Sequence, residues 1–306
     1  MFNRAEIVDK NFSQSLKSNI FPKSRIDVKY DTLGFNNKKI IQIFESQISS
    51  RHIDLRARIL KAAGDCFYTI GSSGHEGNAV FGHIFPYTDM AFLHYRSGSF
   101  FIERSKQINN TTPVYDLALS FVASSEDPIS GGRHKVIGSK LLNIPPQTST
   151  IASHLPKAVG TAFSIDRGTN LGLIENNLNP NSIILCSFGD ASANHASALS
   201  AINTACWIKD KGGHVPIIFI CEDNGTGISV KTEENWIEQN YSNKTGLKYI
   251  KTDGLNIFDL ILQTYKAEKI SRIKRDPVFL HMKTVRLMGH AGSDVESGYK
   301  DLKQIE

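Results

Sequence analysis

The sequence predicts an α/β protein with a mostly parallel sheet flanked by helices. The first observation is an alternation in the later half of the chain. Apolar strand patterns at 183–188, 215–221 and 278–285 alternate with helical patterns at 196–209 and 257–273, which reads β-α-β-α-β. Such alternation places parallel strands under helices on both faces. The second is composition: 306 residues with 40% hydrophobic and 21% charged side chains are enough to bury a sizeable core. Ligands of such sheets bind beyond the carboxyl ends of the strands, so the polar residues just after them matter most.

Residues 1–35 read as an irregular arm, with little sustained periodicity and breaks at Pro22 and Gly34. Residues 36–306 read as one domain. It opens with one or two amphipathic helices carried by Ile40, Ile41, Phe44, Ile48, Leu55, Ile59 and Leu60 and ended by Gly64. The segment 71–77, GSSGHEG, is a glycine-rich turn leading into a short helical stretch, and 176–181 is an Asn-rich surface loop. No apolar run approaches the ~20 residues of a membrane helix, so no membrane association is expected. The first residues lack the apolar centre of a secretory signal, which makes the cytoplasm the expected location. Cys66, Cys186, Cys206 and Cys221 form no CxxC pair and are expected in the core. The net charge of +5 is scattered along the chain, so no nucleic-acid surface is expected.

After the first strand of the alternation comes Gly189-Asp190-Ala191-Ser192-Ala193-Asn194, and after the second Glu222-Asp223-Asn224-Gly225-Thr226-Gly227. If the two strands are neighbours, Asp190 and Asn224 project into one crevice. Magnesium takes hard oxygen ligands, commonly one or two carboxylates completed by phosphate oxygens and water. The amides of 189–192 at a helix start suit the charge of a diphosphate. Each segment alone also reads more plainly: Gly-Asp as a turn with a helix N-cap, Asp-Asn-Gly as a turn.

GDASANHASALSAINTACW followed by PIIFICEDNGTGIS resembles the diphosphate-binding motif of thiamine diphosphate enzymes. More narrowly it is similar to the α component of the 2-oxoacid dehydrogenase E1 enzymes. FLHYRSGS at 92–99, TIASHLPKAVGTAF at 150–163 and VRLMGHAGSD at 285–294 resemble further segments of that family. The resemblance implies a thiamine diphosphate-binding fold with thiamine diphosphate and Mg²⁺ as cofactors. It implies that Asp190, Asn224 and the Thr226 carbonyl hold the metal. Tyr95, Arg96 and Arg286 would contact the diphosphate, and Ser149, Ile151, Gly189, Ala191 and Ser192 would line the cofactor. His290 matches the family's active-site histidine; His75, with Glu76, is a candidate facing the substrate entrance. His154 stands where some relatives bind a structural potassium ion.

Two positions depart from the motif: Ala191 replaces a glycine, and the Asn-Asn ending is Asp223-Asn224. Ala291 stands where regulated relatives carry a phosphorylatable serine, so kinase control there is not expected. The chain stops soon after HAGSDVESGYK, where family α chains continue, which suggests either a piece truncated at its carboxyl end, such as the α region of a fused α/β chain, or a naturally shortened protein. The resemblance further implies a 2-oxoacid substrate, a β component, separate or fused, that supplies a glutamate, a lipoyl-bearing E2 acyltransferase, and a homo- or hetero-oligomer. The isolated chain is then expected to be nearly inactive. Other readings are a non-catalytic assembly subunit that keeps the fold and a transketolase-like enzyme. A dinucleotide-binding domain lacks its G-x-G-x-x-G turn.

Overall fold

A computed structural model describes residues 4–21, 34–66, 70–133, 135–147, 149–150, 152–173 and 179–305. The first half holds α1 (Arg4–Ser18), α2 (Asn37–Ala63), α3 (Ala79–Ile84), β1 (Ala91–Phe92), α4 (Gly98–Ser105), α5 (Pro113–Phe121), β2 (Ile137–Ser139), β3 (Ile144–Gln147) and α6 (Leu155–Asn170). The second half holds β4 (Ile184–Gly189), α7 (Ala196–Asp210), β5 (Ile217–Asp223), α8 (Trp236–Tyr241), β6 (Lys248–Asp253), α9 (Ile257–Lys274), β7 (Val278–Lys283) and α10 (Leu302–Ile305). Five strands form one parallel sheet in the order β1-β4-β5-β7-β6, and β2 pairs with β3 in a separate antiparallel pair.

The central strands are apolar on both faces, as a sheet covered twice requires. Leu185, Ile218, Ile220, Leu280 and Met282 face one core with residues of α3, α4 and α9. Their neighbours Ile184, Cys186, Phe188, Ile217, Phe219, Cys221 and Phe279 face the other, with the small and branched residues of α6 and α7. Burying each large apolar side chain contributes about 1.5–3 kcal/mol, so this two-sided layer fixes where the strand tips lie. All four cysteines are buried, as expected of core residues.

Residues 36–63 fold as one long helix. Asn36 caps its start by accepting from Lys39 N at 3.0 Å, and Gly64 ends it at φ +89°. The GSSGHEG turn leads into a 3-10 turn, Glu76–Asn78, and then α3.

Two expectations are corrected. The segment read as an irregular arm contains α1, whose Val8 and Phe12 line a cavity with Phe44, Ile48 and Leu55 of α2. Val8, Phe12 and Leu16 recur at helical spacing along its 15 residues, so the period was present in the sequence, and docking on α2 adds to it. The alternation also passed over β6, whose KYIKTD sequence carries lysines because it lies at the sheet edge. The two-residue β1 gives no pattern to read.

Candidate functional site

β4 and β5 are direct neighbours in register, with Gly189 opposite Glu222. The loops beyond them therefore leave the sheet side by side. Asp190 begins a 3-10 turn, Ala191–Asn194, and its side chain caps no helix. The start of α7 is instead capped by His195, which accepts from Ser197 N at 3.1 Å. The N-cap reading of Gly-Asp thus does not hold. The Asp190 carboxylate is buried and accepts from Thr232 Oγ1 at 2.5 Å. Burial pushes its pKa up and Asp223 adds to this, with the Thr232 bond working against both.

The second loop is held by turn chemistry. Asp223 Oδ1 accepts from Gly225 N at 2.9 Å and Asn224 Oδ1 from Thr226 N at 3.1 Å. A bridge between Thr226 and Lys231 folds the loop back, and Thr232 N donates to Gly225 O at 3.1 Å. A Cβ on Gly227 would meet the Cβ of Ala191 at 3.3 Å, so the two loops touch. Ala191 itself has no left-handed φ, and the lost glycine costs the turn nothing.

The departure at Asp223 has a local explanation. Its Oδ2 accepts from His281 Nε2 at 2.7 Å and Lys283 Nζ at 2.8 Å, both on the adjacent β7, and His281 Nδ1 meets Tyr249 OH on β6 at 2.6 Å. Burial pushes the Asp223 carboxyl up, but the bonds from His281 and Lys283 outweigh it and hold it well below the usual carboxylate range. A carboxylate suits a position with two such donors, and Asn224 keeps the amide.

Positive charge arrives from the tips of β1 and β7. Arg96 donates from Nη1 to Gly71 O at 2.6 Å and from Nη2 to His290 O at 2.9 Å and His290 Nδ1 at 3.2 Å. Arg286 donates from Nη1 to Gly227 O at 2.6 Å and from Nη2 to Tyr299 OH at 2.9 Å. Its buried Nε has no partner among the described residues. Burial lowers the Arg96 pKa and Arg286 lowers it further. His290, half-buried, is pushed down to about 4 by burial and by both guanidinium groups. Since Arg96 can only donate, His290 Nδ1 accepts and its Nε2 carries the ring hydrogen. Tyr95 stands edge-on to His290, ring centroids 6.0 Å apart.

His75 does not open onto an entrance. It is fully buried, with Nδ1 2.7 Å from Glu222 Oε2 and Nε2 3.1 Å from Asn224 Nδ2. Its neighbour Glu76 accepts from Gly74 N at 2.7 Å and pairs with Arg51. Ser192 is buried beside Asp190, Thr226 is half-buried, and Ser149 is half-buried just past β3. Ile151 lies outside the described residues. His154 is buried with Nε2 2.8 Å from Ser187 O, and burial pushes it down to about 4.

Sequence reasoning missed Glu222, His94 and the partners of Asp223. A glutamate directly after the apolar run of β5 was the available signal for Glu222. His94 is buried, its pKa driven well down by burial and then by His75 and Arg96, and neither ring nitrogen has a hydrogen-bond partner among the described residues, Nδ1 lying 3.9 Å from Glu222 Oε2. Ligand atoms of His75, His94 and Glu222 lie within 4.8 Å of one another. The 2.7 Å contact within that group is a hydrogen bond, closer than the about 3.3 Å between donors around a tetrahedral zinc.

A parallel sheet of this order, with paired loops at two adjacent tips and guanidinium groups beside them, is a thiamine diphosphate-binding fold of the Rossmann-like kind. The chain belongs to the dehydrogenase E1 component family, whose sequence profile matches residues 45–306. Within it, the domain is E1 α-like. It is 26% identical over 222 residues to the mouse 2-oxoisovalerate dehydrogenase subunit alpha, mitochondrial, covering 71% of this chain and 46% of that protein. To the human counterpart it is 24% identical over 277 residues, covering 88% and 57%. To the 2-oxoisovalerate dehydrogenase subunit alpha of Bacillus subtilis it is 24% identical over 286 residues, covering 91% and 80%. The chain thus spans about half the length of the mammalian relatives it matches. Among solved structures, the transketolase of Campylobacter jejuni superposes with a TM-score of 0.56 at 15% identity, over 82% of this chain and 38% of that one. A transketolase mutant of Pichia stipitis gives 0.55 at 16%, over 80% and 36%. These two show the fold alone. Among the described residues no helix is long and apolar enough to cross a membrane.

Proposed function

We propose that this chain is the α component, or the α region, of a 2-oxoacid dehydrogenase E1 enzyme that uses thiamine diphosphate and Mg²⁺ to decarboxylate a 2-oxoacid. The observation that carries this reading is that a buried carboxylate, from Asp190, and an amide, from Asn224, stand on loops that touch each other beside two buried guanidinium groups. Hard oxygen donors next to surplus positive charge fit a magnesium diphosphate, and the unpartnered Arg286 Nε leaves a donor free for a phosphate oxygen.

Asp190, Asn224 and the Thr226 carbonyl would hold the metal, and Arg286, Tyr95 and Arg96 the diphosphate. Gly189, Ala191, Ser192 and Ser149 would line the coenzyme. When bound, thiamine diphosphate would supply the nucleophilic carbon and the electron sink that decarboxylation of a 2-oxoacid needs. His290 keeps its Nε2 hydrogen available as a donor toward the reacting centre, because Arg96 occupies Nδ1. Buried His75 serves Asn224 and does not reach substrate.

A β component, separate or fused, would supply the glutamate for the aminopyrimidine, and an oligomer of the two would pass the acyl group to a lipoyl-bearing E2 acyltransferase. The cytoplasm is the proposed site of action. Two measurements test this: titration calorimetry with thiamine diphosphate with and without Mg²⁺, and decarboxylation of several 2-oxoacids with an artificial electron acceptor, with and without an E1 β chain. Metal-dependent binding with turnover only beside the β chain is expected. Robust turnover by the lone chain removes the half-site reading; the absence of metal-dependent coenzyme binding favours an assembly subunit.

A further inference from the structure

We propose that Glu222 and His75 are positioning residues that orient the Asn224 amide so that its oxygen, and not its nitrogen, faces the divalent cation. The inference rests on the reading that Asp190 and Asn224 hold that cation. An amide is nearly symmetric in shape, yet only its oxygen can ligate a hard cation, so an asparagine ligand needs neighbours that tell its two ends apart.

The chain of hydrogen bonds does so. Asn224 Nδ2 can only donate, and it lies 3.1 Å from His75 Nε2, which must accept. The single ring hydrogen then belongs to Nδ1, 2.7 Å from Glu222 Oε2, and a carboxylate there can only accept. Glu222 and the His75 side chain are fully buried, so water cannot substitute for either partner. Asn78 Nδ2 also donates to the same Glu222 oxygen at 3.5 Å. At the other end of the amide, Oδ1 accepts from Thr226 N at 3.1 Å and keeps a second lone pair.

Reversing the amide would set Nδ2 against the Thr226 N–H and Oδ1 against the His75 Nε2 lone pair. His75 could answer the second clash by moving its hydrogen to Nε2, which would turn the Nδ1 lone pair on the Glu222 carboxylate, or by taking a second proton, which would bury an imidazolium and still leave Nδ2 against the Thr226 N–H. Glu222 therefore fixes the tautomer, the tautomer fixes the amide, and the amide presents oxygen. Partners one step removed from a ligand typically change metal affinity by about 10–100-fold.

The test uses the full chain and Mn²⁺ in the presence of thiamine diphosphate, with Mn²⁺ affinity read by electron paramagnetic resonance. The double variant His75→Leu/Glu222→Leu removes the pair without stranding a buried charge. It should bind Mn²⁺ at least about 10-fold more weakly than wild type. Glu222→Gln, whose side-chain carbonyl can still accept from Nδ1, should stay within about 3-fold of wild type. The discriminating comparison adds Asn224→Asp: a carboxylate has no wrong way round, so in that background the double variant should lose almost nothing. Equal affinity of the double variant and wild type, or an undiminished loss in the Asn224→Asp background, would overturn the proposal and leave the metal site standing. Failure of the wild type to bind Mn²⁺ with the coenzyme overturns both. Nitrogen NMR of the wild type gives a result independent of any variant's folding: a hydrogen on Nδ1 of His75 is expected, and one on Nε2 contradicts the mechanism.

Discussion

Arg96 Nη2 bonds both the carbonyl oxygen and the Nδ1 of His290, at 2.9 and 3.2 Å, and so ties the tip of β1 to the loop that follows β7. The guanidinium holds the imidazole in one tautomer and, through its charge, keeps it neutral.

His290 should therefore titrate near pH 4 instead of the usual 6.5, because burial and then Arg96 and Arg286 oppose its protonation. The unfolded chain takes up this proton first as pH falls below 6.5, so the folded state loses stability between there and about 4. His290→Asn should flatten that part of the stability profile. Histidine NMR should also show the His290 pKa rising when inorganic pyrophosphate is added, since an anion beside the ring offsets the guanidinium charges; an unmoved pKa would count against the diphosphate site.

Asp190→Asn should separate stability from binding. The folded-state pKa of Asp190 is raised, so its ionised form costs stability above that pKa and the cost disappears on protonation. The variant should melt about 2 °C or more above wild type at neutral pH without ligand, yet show no metal-dependent coenzyme binding by calorimetry. A variant that melts lower would contradict the burial argument.

Asp223→Asn should destabilise the chain by about 2 kcal/mol at neutral pH, because charge-assisted bonds from His281 and Lys283 become ordinary ones. The folded pKa of Asp223 lies below its unfolded value, so this contribution is complete above about pH 4 and fades as pH falls further. Denaturant melts of the two proteins should converge in acid.

Gly74→Ala should be among the most damaging single-methyl changes. Gly74 has φ +99° and an added Cβ would come within 2.1 Å of Val285 O. A loss of about 3 kcal/mol or more is expected in denaturant melts, along with weakened pyrophosphate binding, because Thr284 Oγ1 donates to Gly74 O and Leu287 N to Ser73 O in the same seam.

The strands carrying Asp190 and Asn224 were legible because both faces of β4 and β5 are apolar, and the loops because they follow those strands directly. Strand adjacency was assumed from the alternation and is observed. What the sequence hid was of two kinds. β6 is a half-exposed edge strand with no strong pattern of its own, whereas α1 does carry Val8, Phe12 and Leu16 at helical spacing, a signal the arm reading overlooked. The partnerships of Glu222 with His75 and of Asp223 with His281 join residues 147 and 58 positions apart, and no local spacing encodes them.

The seam between the GSSGHEG turn and the segment after β7 joins positions 210 apart, and Arg96 meets His290 across 194. Closing such long loops is paid for late in folding, after the local helices have formed. During synthesis the cation-rich side of the crevice cannot exist until residues near 290 have left the ribosome. Coenzyme capture would then draw from the pool of nascent and refolding molecules only those in which these two distant segments have met.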